Sequence, residues 1–286
     1  MVDLLKNHRS VAVALLCLMS VFSLGSMARS GFAAEPTNAK EAAEKKARED
    51  AELAARFAEW KAALPPEQQA WETVLEQNLG GFYLPLYQKD KLAGRGTAWD
   101  YVQDTPGLPR VLLVGDSVSR GYTLAVRKAL AGVANVHRAP ENCGPAVNGI
   151  KKSDIWLADG KWDVIHFNFG IHDRRTPAAD YQSRLEALVE RYQKTGATVI
   201  WASTTPIPPD TKDGPEASAQ IEEKNRLAAE VMEKHGVKVN DLYQFVLPRL
   251  KELQNPKDVH FSGAGYDALG EQVAKVIQET LAQQKK

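Results

Sequence analysis

The chain has 286 residues, and 36 lysines and arginines balance 36 aspartates and glutamates for a formal net charge of zero. That balance, without any dense Lys/Arg run, excludes a nucleic-acid-binding face of the usual electrostatic kind. Only two cysteines are present, Cys17 and Cys143, which excludes a disulfide-stapled framework.

The first segment reads as a secretory signal peptide. Lys6, His8 and Arg9 form a basic start, Val11 to Val21 is an apolar run too short for a comfortable membrane span, and small residues follow. A cut after Ala33 or Ala34 makes residues 1–34 the leader. The mature chain then keeps Cys143 alone, and an exported protein without an internal disulfide fits the bacterial periplasm or secretion. It also has no membrane association after cleavage. About 250 residues remain, enough to bury a core without covalent staples.

Residues 35–105 are expected to form an N-terminal helical extension. Leu53, Phe57, Trp60 and Leu64 recur at helical spacing. Pro65-Pro66 breaks that helix and Pro66 opens a second, whose buried face is Trp71, Val74, Leu75 and Leu79 and which Gly80-Gly81 ends. The aromatic residues would dock the extension on the main domain, residues 106–286.

From Arg110 onward, strand and helix alternate. The apolar run Val111–Val114 predicts a first strand, followed by a helix carrying Leu124, Val126 and Leu130. Residues 135–138 form a second strand and 162–169 a third. A helix with Tyr181, Leu185, Leu188, Val189 and Tyr192 runs to Gly196. Residues 197–202 are the fourth strand, a helix with Leu227, Ala228, Val231 and Met232 ends near Gly236, and 237–239 form the fifth. A closing helix spans about Ser262 to Gln283, with Ser262 as its cap. Alternation of this kind argues a three-layer αβα sandwich around a parallel sheet.

Ligands of open α/β sheets bind beyond the carboxyl ends of the strands. Those ends carry Gly115-Asp116-Ser117, Asn142-Cys143-Gly144-Pro145, Gly170-Ile171-His172-Asp173 and Ser203-Thr204-Thr205, and Asp258-Val259-His260-Phe261-Ser262 precedes the last helix. Ser117 stands on a turn between an apolar strand and a helix, near free backbone N–H groups able to stabilise an oxyanion. This is the setting of a nucleophilic serine.

Gly115-Asp116-Ser117, Gly144, Gly170-x-His172-Asp173 and Asp258-x-His260, in that order, resemble the blocks of the SGNH/GDSL hydrolases across most of residues 110–283. The resemblance implies a flavodoxin-like five-stranded sheet and an esterase without cofactor or metal. Ser117 would be the nucleophile and His260 its general base, with the N–H groups of Ser117 and Gly144 in the oxyanion hole. Two positions depart from the family pattern. His172 occupies the place of the asparagine whose amide completes the hole, and a neutral imidazole N–H can donate there instead. Asn168 is a nearby second amide. Lys257 stands where the triad acid is expected, which leaves Asp258, two residues before His260, to orient the ring.

The substrate implied is a small-molecule or glycan ester, with an acetyl group on carbohydrate favoured by family analogy and export. An O-acetyltransferase of an envelope polysaccharide and a non-catalytic carbohydrate-binding protein are the alternatives. Among the other conspicuous residues, Asp116 and Asp173 read as turn hydrogen-bonders and Cys143 as a structural thiol. Arg174-Arg175 reads as a solvated face or an anion contact, and Trp156 as a stacking platform. His166 and His172 lack a third ligand for a metal.

Overall fold

The computed structural model describes residues 36–158, 160–212 and 214–284. The expected leader, residues 1–34, lies outside them, and no described helix is long and apolar enough to cross a membrane. The chain divides into two units, Met1–Lys46 and Ala47–Lys286. In the first, the described residues belong to the opening turns of helix α1 (Pro36–Ala62), where residues 39–46 are exposed and Lys40 and Glu44 pair at 3.9 Å.

The second unit begins with the rest of α1, then α2 (Pro66–Asn78) and α3 (Gly80–Leu92). The third helix corrects the sequence expectation. Gly80-Gly81 does end α2, but Gly80 adopts φ +70° and the chain re-enters a helix at once, carrying Pro85 inside it. Burial outweighs the poor helix propensity. Phe57, Leu75, Leu79, Tyr87 and Trp99 form a closed aromatic cluster, and the Tyr87 hydroxyl donates to the buried Glu72 carboxylate at 2.7 Å. Leu53, placed in the apolar stripe, remains half-exposed outside that cluster.

A five-stranded parallel sheet follows, built from β1 (Arg110–Val114), β2 (Asn135–Arg138), β3 (Val164–Phe167), β4 (Thr198–Ala202) and β5 (Lys238–Asn240) in the order β2-β1-β3-β4-β5. The two central strands are in register with Val111 beside Val164 and Val114 beside Phe167. Strands buried on both faces read as continuous apolar runs, which is why β1 and β4 were legible. Trp162 lies outside β3, buried in the preceding loop with its indole N–H on the Leu157 carbonyl.

One face of the sheet is covered by α5 (Ala146–Leu157), α6 (Ala178–Gln193) and α7 (Gly214–Lys234), which fill a core with Tyr181, Leu185, Leu188, Val189, Tyr192 and Trp201. The other is covered by α4 (Ser117–Ala129) and α10 (Gly263–Gln284), with Tyr122, Val126, Leu269, Val273 and Ile277. Leu124, expected on the buried side of α4, is 45% exposed. Two short helices that the sequence pattern did not suggest, α8 (Leu242–Val246) and α9 (Leu250–Leu253), fill the path from β5 towards α10.

The strand order reverses between β1 and β3. Loops leaving the carboxyl ends of those two strands diverge there and open a crevice. Ser117 follows β1, and the Gly170–Asp173 segment follows β3.

Candidate active site

The turn after β1 is built before any chemistry is asked of it. Asp116 is the N-cap of α4, its carboxylate accepting from the Val118 N–H at 2.9 Å. This leaves the Ser117 hydroxyl without a capping duty. Ser117 is the first residue of the helix, so its own N–H has no intrahelical acceptor. Beneath the turn lies Arg138, the last residue of β2 and only 2% exposed. Its guanidinium donates to the Ser119 hydroxyl at 2.6 Å and to the carbonyls of Gly115 and Asp116 at 2.9 and 3.0 Å. Sequence reasoning missed Arg138, because a charged residue at a strand end reads as solvated.

His260 is presented by a hairpin. Gln254 and Phe261 form an isolated antiparallel bridge, Asn255 N–H donates to the His260 carbonyl at 2.9 Å, and Lys257 takes the left-handed conformation at φ +56°. With the chain reversing there, the Asp258 carboxylate lies 2.8 Å from His260 Nδ1 and also accepts from the His260 N–H at 3.2 Å. Burial alone would raise the Asp258 carboxyl, but hydrogen bonds from the His260 ring and backbone outweigh it and hold it below the usual carboxylate range. On the other side of the ring, Nε2 lies 2.8 Å from Ser117 Oγ. A hydroxyl, an imidazole and a carboxylate in line form the arrangement in which imidazole takes up a hydroxyl proton.

The loop after β2 is braced from three sides. Buried Glu141 accepts from the Trp156 indole at 2.8 Å and from Lys152 at 2.7 Å. Cys143 N–H donates to the Gly115 carbonyl at 3.2 Å. Asp173, buried after β3, accepts from Ala146 N–H at the start of α5 at 2.7 Å, which ties the two loops together. Gly144 within this loop adopts φ +64°, a conformation that L side chains rarely take.

A cleft of about 700 Å³ brings Ser117, His260, His172 and Asn142 together with Arg120, Arg174 and Arg175, and its apolar wall includes Phe82, Tyr83 and Leu86 of α3. The sequence pattern places Asn142 at the end of β2 but gives it no role. Its Oδ1 is buried without a hydrogen-bond partner among the described residues.

Asn168 does not join this group. Its amide donates to the Ala202 carbonyl at 2.7 Å and the Thr204 hydroxyl at 3.0 Å, so both N–H bonds are committed to the end of β4. Trp156 is no platform either: it is 2% exposed, bonded to Glu141 and stacked on Phe169. His166 lies in the core, where Asn240 Nδ2 donates to its Nε2 at 3.2 Å. Burial pushes the Cys143 thiol up to about 12, which keeps it protonated near neutral pH.

The family model for GDSL-like lipases and acylhydrolases matches residues 113–268. The chain belongs to that family. As a GDSL hydrolase it is a carboxylic ester hydrolase of the SGNH type, and the matched span runs from β1 past His260 into α10. Among solved structures, the hydrolase resembles a lipase/acylhydrolase from Enterococcus faecalis, with 24% identity, a TM-score of 0.52, and coverage of 60% of this chain and 96% of that one. It also resembles the acetyl xylan esterase AlAXEase, at 15% identity, TM-score 0.52, and 59% and 99% coverage. An acetylxylan esterase from Geobacillus stearothermophilus matches at 16% identity, TM-score 0.52, and 59% and 94% coverage. At such identities these likenesses speak for a shared fold. No curated protein matches the sequence.

Proposed function

We propose that this hydrolase is an exported serine esterase that removes short acyl groups, acetyl above all, from carbohydrate. The observation that carries the reading is the continuous relay from Ser117 Oγ through His260 to Asp258, with both contacts at 2.8 Å. In the proposed cycle, Oγ attacks the ester carbonyl carbon while Nε2 accepts its proton. The tetrahedral oxyanion is held by the N–H groups of Ser117 and Gly144 and by the His172 side chain. Collapse expels the alcohol, which takes the proton back from Nε2, and water deacylates Ser117 by the same steps in reverse roles.

The carbohydrate part is supported by two things. The structures sharing this fold include acetylxylan esterases, and the cleft is open, lined by exposed apolar and cationic side chains that suit an extended polymer better than a buried lipid chain. The export part rests on residues 1–34, which have the basic start, apolar run and small-residue end of a leader.

The test is turnover of p-nitrophenyl acetate, p-nitrophenyl octanoate and an acetylated polysaccharide by mature protein. Acetate esters should be hydrolysed and the octanoate poorly. Ser117→Ala should remove at least 99.9% of turnover, on the order of 4 kcal/mol of transition-state stabilisation, with an unchanged melting temperature. Retained turnover would overturn the mechanism.

A further inference from the structure

We propose that the cleft beside Ser117 contains an anion subsite centred on Arg120, and that the ester it takes is an O-acylated glycan whose sugar carries a carboxylate. This deepens the esterase reading and rests on it for the reaction, though not for the binding.

The charge distribution in the cleft is one-sided. The chain as a whole is neutral, yet the charged residues lining this cleft are Arg120, Arg174 and Arg175, with no aspartate or glutamate among the lining. The carboxylate closest in sequence to His260 is Asp258, and it is turned to His260 Nδ1. In a concave surface, cations of one sign reinforce each other and raise the local concentration of anions.

Arg120 is the anchor because of how it is held. It lies one turn after Ser117 on α4, so the two residues share a helix face. Its guanidinium sits over the rings of Tyr83 and Trp99, at 5.5 and 5.7 Å from their centroids. Cation–π contacts of that kind hold the guanidinium against the two rings and leave its terminal N–H groups as the place for a partner. Among the described residues no carboxylate pairs with Arg120, and its Nε is buried without an acceptor. Its neighbours Arg127 and Arg138 are instead committed to the protein, Arg127 to the carbonyls of Val136, Thr97 and Asp100 and Arg138 to those of Gly115 and Asp116 and to the Ser119 hydroxyl. A ligand carboxylate is the group that a planar, pre-oriented guanidinium receives best, through two parallel hydrogen bonds.

The neighbouring wall argues for a sugar acid rather than a small free acid. Phe82 on α3 is 72% exposed and meets Tyr83 edge-on, with ring centroids 4.9 Å apart. An exposed aromatic beside a cation offers one surface to the apolar face of a pyranose and another to its carboxylate. The extension thereby acquires a role: α3 supplies the ring platform, and its Tyr83, with Trp99, holds Arg120.

The test compares ligands that differ in charge and little else. Calorimetric titration of the full mature protein with unacylated trigalacturonate and with neutral xylotriose measures binding whether or not the protein turns over. Trigalacturonate should bind at least about tenfold more tightly in 20 mM salt, and that advantage should shrink towards parity at 0.5 M. Arg120→Gln should abolish most of the preference, and the double substitution Arg174→Gln/Arg175→Gln should reduce it. Equal affinities, or a preference insensitive to salt, would overturn the subsite even if neither variant folds. Hydrolysis of p-nitrophenyl acetate is scored separately: its absence sinks the esterase reading and leaves the binding comparison intact.

Discussion

The two nitrogens of His260 face different partners, and the difference decides which can be spared. Nε2 meets the serine, and no other group among the described residues stands at hydrogen-bond distance from Ser117 Oγ to replace it. Nδ1 meets Asp258, whose side chain is 46% exposed, so in the proposed cycle water would share the task of solvating the imidazolium. In an exposed pair the carboxylate contributes less than a buried one would. Asp258→Asn, which keeps an oxygen able to accept from Nδ1–H, should therefore lower kcat/KM on p-nitrophenyl acetate by about 10- to 100-fold, while His260→Ala should cost about 10³-fold or more. Equal losses would give Asp258 the full weight of a triad acid.

Arg138 supports the turn that carries Ser117. It is fully buried, and burial pushes its guanidinium below the usual arginine range, yet its bonds to Gly115, Asp116 and Ser119 keep it charged and fixed. Arg138→Met should remove one hydrogen bond from each of the Gly115 and Asp116 carbonyls, which keep the N–H groups of Cys143 and Arg120, and one from the Ser119 hydroxyl, costing about 1–3 kcal/mol of stability. Because the turn would then loosen around Ser117, kcat should fall more than KM rises. A denaturant titration alongside the kinetics separates the two effects, and unchanged kcat in a destabilised protein would make Arg138 structural only.

At the scale of elements, the separation of Ser117 from His260 is set by α4 against α10, since the serine opens one helix and the histidine precedes the other. Gly270 permits their close approach: a Cβ there would lie 2.4 Å from the Ala125 methyl and 3.1 Å from the Tyr122 carbonyl. Neither neighbour is a flexible side-chain end. Gly270→Ala should force the helices apart at a cost of about 1–3 kcal/mol and weaken hydrolysis at the same time. A melting temperature and kcat both equal to the parent's would refute this coupling.

The elements that the sequence revealed are those whose burial follows one period. Tyr181, Leu185, Leu188, Val189 and Tyr192 trace a helical stripe, and all are buried. Helix α3 was hidden because Gly80, Gly81 and Pro85 all speak against a helix, while the contacts that impose it come from Phe57 and Trp99, far away in the chain. Trp156 misled for a related reason. Its partner Glu141 lies 15 residues upstream, and no local pattern signals a buried carboxylate. Within the site, strand-end positions made the convergence of Ser117, His260 and His172 on one cleft legible. The commitment of Asn168 to β4 and the support from Arg138 are contacts between strands, visible only once the sheet is assembled.

For the whole molecule, the buried polar chain from His166 through Asn240 to Gln272 links the sheet to α10 and makes stability depend on pH. The His166 ring is fully buried, and desolvation lowers its pKa from 6.5 to about 4. Protonation is opposed by geometry as well, since Nε2 accepts from Asn240 Nδ2 and a proton there would set two donors against each other. Between those two values the unfolded chain binds a proton that the folded core refuses, so stability rises with pH and is lost as pH falls from about 6.5 towards 4. At about 1.4 kcal/mol per pKa unit, the loss between pH 7 and 4.5 should be about 2 kcal/mol from this residue. His166→Gln, which can still accept from Asn240 but cannot titrate, should show a shallower decline by that amount in urea unfolding at the two pH values. The carboxylates contribute the same slope to both proteins, so parallel curves would show that His166 is not the group responsible.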